Sequence, residues 1–227
     1  FKPFFDGRFS ATALYILAHY QSPEKIANMN AKSYEALRKK SRGKFSMVKF
    51  AQLKTLAKNT VGRSDAFLLK QMEITIDIEN QLDAKIDEIE SQILEFIRAL
   101  NPPILTIPGI GELTAAIILS EYGNINKFEN PAQLLSFAGL EPGYYQSGLA
   151  EHQGHMVKHG SSHLRYALMN ACLPLITYEP VFAEYYAKKR AEGKPHRVAL
   201  THVAKKLLRV IFTLQTKNIS YDPTLIR

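Results

Sequence analysis

The sequence predicts a mainly all-α fold: a helical N-terminal unit, one long coiled-coil helix and a C-terminal helical domain. Three observations support this prediction. Almost every periodic stretch repeats its apolar residues at helical spacing. Serine, asparagine and proline stand where helices would begin, and glycine stands where several would end. One stretch, residues 140–160, lacks helical periodicity and contains four glycines, so we expect an irregular loop there.

Length and composition are those of a globular protein. The chain has 227 residues, of which 46% are hydrophobic, enough to bury a real core. Its single cysteine, Cys172, excludes a disulfide framework and a multi-cysteine zinc site, and fits a reducing cytosol. No apolar run has the length of a signal peptide or a membrane span. The chain lacks an initiator Met, which indicates a fragment or a processed protein.

The net charge of +8 is unevenly distributed. Residues 1–62 carry 12 basic and 3 acidic side chains, and residues 161–227 carry 11 and 4. The segment 63–100 between them carries 4 basic and 9 acidic side chains. Clustered positive charge favours a polyanionic partner, although lysines that keep helical faces in water would give the same composition.

The N-terminal unit, residues 1–62, is predicted to be small, basic and helical. The predicted helices cover residues 10–20 after Ser10, 23–27 from Pro23, 32–41 and about 46–60. Three aromatic residues lie among its lysines, and core packing is their expected role rather than base stacking; they are Tyr34, Phe45 and Phe50.

Residues 63–100 are predicted to form a coiled-coil arm, with one helix from about residue 64. Its apolar residues alternate steps of four and three, the spacing of a coiled-coil seam: Leu82, Ile86, Ile89, Ile93, Phe96 and Leu100. The acidic side chains on its other faces are expected to be solvated rather than to bind metal. We therefore expect the arm to meet a partner helix from the same chain or from a second copy.

The C-terminal domain, residues 101–227, is predicted to begin with a short helix capped by Asn101, with Pro102 at its first position. Further predicted helices cover residues 112–122, Pro131 to the glycine at 139, 161–178, 181–192 and 196–217.

A Gly-Ile-Gly turn at Gly109, Ile110 and Gly111 joins the first two of these helices, as in a helix-hairpin-helix. Glycines without a Cβ let a phosphate approach the backbone, and the first amides of the following helix point towards it. Ile110 would anchor the turn in the core. Glu112 beside the turn counts against phosphate binding, and close packing of two helices is the alternative role.

Ser147 precedes a glycine inside residues 140–160, where a hydroxyl is able to attack a phosphodiester. Local hydrogen bonding is the alternative role for such a serine. Lys158 and Arg165 follow it, and Arg165 is suited either to bidentate phosphate binding or to a salt bridge with a nearby glutamate. The histidines at 152, 155, 159 and 163 have the spacing of a loop, so no zinc site is expected.

Five short motifs follow one another in this domain: the glycine turn, Phe-x-x-Pro-x-Gln-Leu, Ala-Gly-Leu-x-Pro, Gln-Ser-Gly and Lys-x-Gly-x-x-x-Leu-Arg. In this order they resemble the C-terminal domain of the Piv/MooV-type insertion-sequence transposases, a group that includes the bridge-RNA-guided recombinases. The resemblance is close over residues 104–175 and looser over the arm and the basic unit.

The resemblance implies that Ser147 is the nucleophile of DNA strand exchange. It implies DNA as a partner, guide RNA in the RNA-guided members, homo-oligomers built on the coiled-coil arm, and a cytoplasmic bacterial or archaeal protein. The family's metal-binding RuvC-like domain is not recognisable in residues 1–62. We therefore expect no cofactor in this chain, divalent metal (Mg²⁺) in the missing domain, and no catalysis by the chain alone.

Three functions remain open from the sequence. The first is the serine-bearing, nucleic-acid-binding part of a transposase or recombinase, with Gly109, Ile110, Gly111, Lys158 and Arg165 at the nucleic acid. The second is a non-catalytic helix-hairpin-helix DNA-binding module. The third is a helical scaffold that dimerises through the arm and binds acidic proteins.

Overall fold

The structure, a computed structural model, describes residues 5, 10–61, 65–147, 150–156 and 159–225; the side chains of residues 142–156 and 225 are outside this description. It confirms the mainly all-α fold, since the described strands are a single antiparallel pair. The chain forms two compact units, Phe1–Asp87 and Glu88–Arg227, and the boundary between them falls inside the longest helix.

Where the first unit is described, it forms four short helices: α1 (Ala11–Tyr20), α2 (Pro23–Ala27), α3 (Ala31–Lys40) and α4 (Met47–Lys58). Each begins after a residue whose side-chain oxygen accepts a hydrogen bond from the third backbone N–H beyond it: Ser10, Ser22, Asn30 and Ser46. These caps satisfy amides that a helix start leaves free, so all four helices begin within one residue of the predicted starts.

The core of the first unit is a cluster of seven buried side chains: Ile16, Ile26, Met29, Leu37, Phe45, Phe50 and Leu53. Phe45 and Phe50 belong to it, and the Tyr34 ring packs against Phe50 at 5.4 Å between centroids. The expectation that these aromatic residues serve packing is therefore confirmed.

The long helix, α5, runs unbroken over Ala66–Leu100. The Asp65 carboxylate accepts a hydrogen bond from the Phe67 N–H at 2.7 Å, which caps its start. At its end the N–H of Asn101 donates to the Ile97 carbonyl, and Asn101 has a positive φ of 43°.

Asn101 therefore ends α5, and the prediction that it caps the next helix is wrong. The proline at 102 has extended backbone, and the following element is a 3₁₀ turn over Pro103–Thr106 with no side-chain cap. The extended Pro102 occupies the position before this turn, while Asn101 stands one residue earlier, with a positive φ, as the residue that closes α5.

The described residues of the second unit form five α-helices after the end of α5: α6 (Glu112–Tyr122), α7 (Pro131–Phe137), α8 (Ser162–Tyr178), α9 (Pro180–Ala191) and α10 (His196–Lys217). Their limits agree with the predicted ones to within two residues. Helix α10 packs against α7, α8 and α9 and buries an apolar stripe that runs along most of its length: Ala199, Leu200, Val203, Ala204, Leu207, Leu208, Val210, Ile211 and Leu214.

Between α7 and α8 the structure has a β-hairpin instead of the expected irregular loop. Strand β1 (Pro142–Ser147) pairs antiparallel with β2 (Ala150–Met156), with an irregularity between Pro142 and Tyr144. The prediction failed because neither strand alternates apolar and polar residues: β1 reads PGYYQS and β2 reads AEHQGHM. Pairing of two consecutive strands through backbone hydrogen bonds does not need such an alternation.

The glycine turn before α6 is packed against α8. Gly109 has φ +86°, and a Cβ there would lie 2.9 Å from the carbonyl carbon of Pro174, which stands inside α8. Gly111 has φ −80° and precedes α6 as its N-cap, and a Cβ there would meet no atom within 4 Å. Gly109 is therefore required for close helix packing, whereas Gly111 faces open space.

The described part of the chain includes no helix that combines the length and the apolar character needed to cross a bilayer.

Substitution of each glycine in turn should separate the packing role of Gly109 from the open position of Gly111. Gly109→Ala is expected to lower the free energy of unfolding by about 2 kcal/mol or more, because it adds backbone strain and displaces α8 at Pro174. Gly111→Ser should leave stability unchanged or raise it, since serine is a good N-cap in this backbone conformation. Urea unfolding of both variants measures the difference, and equal stabilities would contradict the packing role of Gly109.

Candidate nucleophile hairpin and nucleic-acid interface

Ser147 is the last residue of β1 and pairs with Ala150, the first residue of β2. It therefore lies at the end of the hairpin, next to the connection at residues 148–149, which lies outside the described residues together with the Ser147 side chain. At about 3.4 Å per residue, the five steps from Pro142 place Ser147 about 17 Å along the strand from the hairpin base.

The base of the hairpin is closed by the backbone on its two sides. On the entering side, α7 ends at Phe137 and leads through Ala138 and the fully buried Leu140 into β1. On the leaving side, the N–H of Ser161 donates to the carbonyl of Phe137 at 2.8 Å. The chain that leaves the hairpin therefore returns to the end of the helix from which it started.

Gly160 makes this closure possible. It has φ +109°, and a Cβ there would lie 2.2 Å from the Phe137 carbonyl oxygen and 2.9 Å from the carbonyl carbon. No side chain fits at that distance, and the backbone conformation is one that other residues rarely adopt. Gly160 is the glycine of the Lys-x-Gly-x-x-x-Leu-Arg motif, which gives that motif a structural reason.

Arg165, at the end of the same motif, also binds the base. Its Nη1 donates to the Ala138 carbonyl at 3.0 Å, so its described partner is a main-chain oxygen rather than a glutamate. The nearby glutamate, Glu121, instead accepts a 2.5 Å hydrogen bond from the Ser161 hydroxyl. That hydroxyl also accepts from the Leu164 N–H at 2.9 Å and so caps α8.

The glycine turn presents the start of α6. Ile110 is 7% exposed and belongs to the core of the second unit, which confirms that it anchors the turn. No side chain caps the N-terminus of α6. The amides of its first turn are thus available beside the open face of Gly111, while Gly109 is covered by α8.

Glu112, at the first position of α6, is held by Arg98 near the end of α5. Arg98 donates from Nε and Nη2 to the two carboxylate oxygens of Glu112, each at 2.7 Å. The hydrogen bond from Arg98 lowers the pKa of Glu112, and the same pair raises the pKa of Arg98. The negative charge beside the glycine turn is therefore balanced by a fixed guanidinium.

The other predicted positions are distributed as follows. Lys158 lies outside the described residues, and the side chains of His152 and His155 are not described. His159 and His163 are exposed near the start of α8. Within the described residues, no group of three or more His, Cys, Asp or Glu side chains is arranged to hold a metal ion.

The apolar seam of α5 is exposed. Its six members are between 37% and 69% exposed: Leu82, Ile86, Ile89, Ile93, Phe96 and Leu100. The last turns of α5 and the face of α6 also line a largely apolar groove of about 800 Å³, to which Phe96, Leu100 and Ile117 contribute. Four of the seam residues line the groove: Ile89, Ile93, Phe96 and Leu100.

Sequence reasoning missed the hairpin base as a site of its own. Glu121 and Ser161 are ordinary polar residues in the sequence, and nothing in their spacing links α6 to the start of α8. Gly160 was the available signal, because a glycine just before the N-cap of a helix indicates a close approach of backbone.

The comparisons with known proteins point to one family. Residues 101–187 match the family described as Transposase IS116/IS110/IS902 family. This segment contains the glycine turn, the hairpin with Ser147 and the whole closure of its base. It includes α6, α7, α8 and part of α9.

Individual relatives extend the similarity over more of the chain. An uncharacterized 43.6 kDa protein of insertion element IS110 from Streptomyces coelicolor is 32% identical over 136 residues, 59% of this chain and 34% of that protein. The pilin gene-inverting protein of Moraxella bovis is 28% identical over 168 residues, 70% of this chain and 52% of that protein. An uncharacterized 42 kDa protein of insertion element IS900 from Mycobacterium paratuberculosis is 25% identical over 224 residues, 96% of this chain and 56% of that protein.

The chain thus spans from about a third to just over half of the length of these relatives. The family match covers the residues where the ordered motifs lie, in agreement with the resemblance to insertion-sequence transposases. Residues 101–187 are therefore similar to the IS116/IS110/IS902 family of transposases.

Proposed function

We propose that this chain is the serine-bearing part of a DNA transposase or recombinase, and that Ser147 becomes covalently joined to DNA during strand exchange. One observation carries the proposal. Ser147 ends a hairpin whose base is closed by Gly160, Ser161 and Arg165, all within the segment that matches a transposase family. The match to a transposase family and the similarity to a pilin gene-inverting protein support the same class of reaction.

The chemistry is a pair of transesterifications. The Ser147 oxygen attacks the phosphorus of a phosphodiester, a serine–phosphate bond forms, the bond to the 3′ oxygen breaks, and the serine proton is passed to that oxygen. The energy of the broken DNA phosphodiester bond is retained in the serine–phosphate bond. Attack by the 3′ hydroxyl of a different strand reverses the step, rejoins DNA and returns the proton to Ser147.

The two basic residues after the serine take different roles in this proposal. Arg165 is bonded to the Ala138 carbonyl at the hairpin base, about 17 Å along β1 from Ser147, so we assign it to positioning the hairpin. Lys158 remains the candidate for charge near the phosphate. Divalent metal belongs, in this proposal, to a RuvC-like domain outside this chain, where it would stabilise negative charge on the phosphate.

The start of α6 is the proposed contact with the DNA backbone. Gly111 leaves room for a phosphate beside the uncapped amides of α6, and Arg98 balances the charge of Glu112. Gly109 and Ile110 hold the turn in place from the protein side. Such a contact would recognise the backbone rather than the base sequence.

Homo-oligomerisation through α5 completes the proposal. The exposed seam has coiled-coil spacing, and burying its large apolar side chains against a second copy would remove them from water. Guide RNA is a further proposed partner, for which the basic residues 38–58 of the first unit are the candidates.

Replacement of the nucleophile gives the direct test. In the full-length protein, Ser147→Ala should bind DNA with unchanged affinity and form no covalent protein–DNA adduct, because only the attacking oxygen is lost. Denaturing electrophoresis of labelled DNA measures the adduct. Ser162→Ala, which removes an exposed serine at the start of α8, is the control and should keep it. An undiminished adduct with Ser147→Ala would refute the nucleophile and leave a non-catalytic DNA-binding module.

Disturbing the hairpin base should affect the reaction without affecting charge. Gly160→Ala is expected to reduce adduct formation at least tenfold, because its Cβ would displace the leaving side of the hairpin from Phe137. Gly193→Ala is the matched control: that glycine also has positive φ, but a Cβ there meets open space. Equal adduct yields for the two variants, measured at equal DNA binding, would contradict the positioning role of the base.

The mass of the protein in solution tests whether the seam of α5 is the interface between subunits. Ile89→Ser combined with Phe96→Ser should convert the oligomer to monomer in sedimentation velocity, because both side chains are exposed in the single chain. Glu95→Ser, an exposed residue on the face opposite the seam, should leave the mass unchanged. A double variant that keeps the mass of the unaltered protein would exclude the seam as the interface.

A further inference from the structure

Helices α9 and α10 carry a dense set of basic side chains that the proposed reaction does not use. They are Lys188, Lys189, Arg190, Arg197, Lys205, Lys206 and Arg209. The acidic side chains on α9 and at its two ends are Glu179, which is buried at the N-cap, Glu184, and Glu192 at the C-cap. This surface lies largely beyond the family-matched segment, whose last residue is 187.

Three of these cations line one groove. It lies between α9, α10 and the segment 219–222, has a volume of about 510 Å³, and receives Lys188, Lys206 and Arg209. A neighbouring depression of about 520 Å³ shares Lys188, Lys206 and the Tyr185 ring with it. Lys188 and Lys206 therefore border both depressions, and Arg209 adds a third cation to the first.

We propose that this groove binds the phosphate backbone of a nucleic acid. The inference rests on the proposed function only for the class of ligand, and it assigns a second contact that is separate from the hairpin and the glycine turn. The groove residues come from α9, α10 and the C-terminal segment, whereas the glycine turn precedes α6.

The charge balance of the groove supports an anionic ligand. Among the described ion pairs, Lys189 is paired with Glu192 at 2.9 Å, while Lys188, Lys206 and Arg209 take part in none. The carboxylate in the lining, Asp222, accepts hydrogen bonds from the Thr224 N–H at 2.8 Å and its hydroxyl at 2.7 Å. Glu184 lines the neighbouring depression. The two depressions together are lined by three cations and two carboxylates, so positive charge is in excess.

Lys206 is the most constrained of the three cations. Its ammonium lies 4.9 Å from the centroid of the Tyr185 ring and 5.7 Å from that of Phe182. Burial lowers its pKa, because a partly buried ammonium is poorly solvated. A phosphate oxygen in the groove would replace the lost hydration with a charge-assisted hydrogen bond.

Separate cations on two helices are suited to binding successive phosphates of a nucleic-acid backbone rather than one small anion. Arg209 stands three residues beyond Lys206, and Lys188 stands on the neighbouring helix. Arg209 is exposed, and its guanidinium is suited to bidentate phosphate contact. The hydroxyls of Thr213 and Ser220 also line the groove and add neutral donors.

The test compares how strongly the nucleic-acid affinity of different variants depends on salt concentration. Lys206→Met with Arg209→Gln removes two charges and keeps the apolar stem of residue 206 over Tyr185. We expect the slope of log K against log[salt] to fall in magnitude by about 1.8 for duplex DNA and about 1.4 for single-stranded DNA or RNA. Lys189→Met, whose charge is already paired, should leave the slope unchanged.

Defined outcomes would overturn the proposal. An unchanged slope in the double variant, or an equal fall with Lys189→Met, would show that the groove is not the contact. The same measurement is made with polyglutamate. If the double variant lowers the salt slope only for polyglutamate and for neither nucleic acid, the ligand is an acidic peptide. Arg209→Gln alone guards against misfolding, because that side chain is exposed, and it should reduce the slope by about half as much. The groove variant should still form the Ser147 adduct at saturating DNA, which separates its failure from failure of the nucleophile.

Discussion

The close approach of Gly160 to the carbonyl of Phe137 is the contact on which the hairpin depends. It brings the chain leaving β2 back to the end of α7 and places Ser161 to cap α8 and to bind Glu121 on α6. Arg165 then joins α8 to the same end of α7. Three helices are thereby connected at one point. The hairpin inherits its position from their packing, since its two strands pair with each other rather than extending a larger sheet.

Helix limits were predictable because they follow from local chemistry. Ser10, Ser46 and Asn130 satisfy the free amides of the helices that follow them, and each cap is visible in the sequence. The seam of α5 was equally predictable, since a step of four and three residues marks one face of a helix. Family motifs identified Ser147, whose position at the end of a strand could not be read from periodicity.

The rest depended on contacts between distant parts of the chain. The sequence makes Gly109 a candidate for the approach of a phosphate, yet its missing Cβ makes room for the backbone of α8 at Pro174. No local pattern announces that partner. The two hydrogen bonds from Arg98 to Glu112 likewise join α5 to α6 across the proline turn. They balance the negative charge of an acidic residue that lies beside the proposed phosphate site. The groove between α9 and α10 exists only once the segment 219–222 has folded beside them.

The length of the hairpin has a consequence for control of the reaction. A rotation of about 5° at its base would move the end of a strand about 17 Å long by roughly 1.5 Å. Misplacement of a reacting atom by about 1 Å is enough to slow a reaction roughly a hundredfold. In the proposed reaction, Ser147 at the far end of this hairpin is positioned accurately only when a second body holds that end. DNA or a neighbouring subunit would hold it, so the serine would not react with other DNA until the whole complex has assembled.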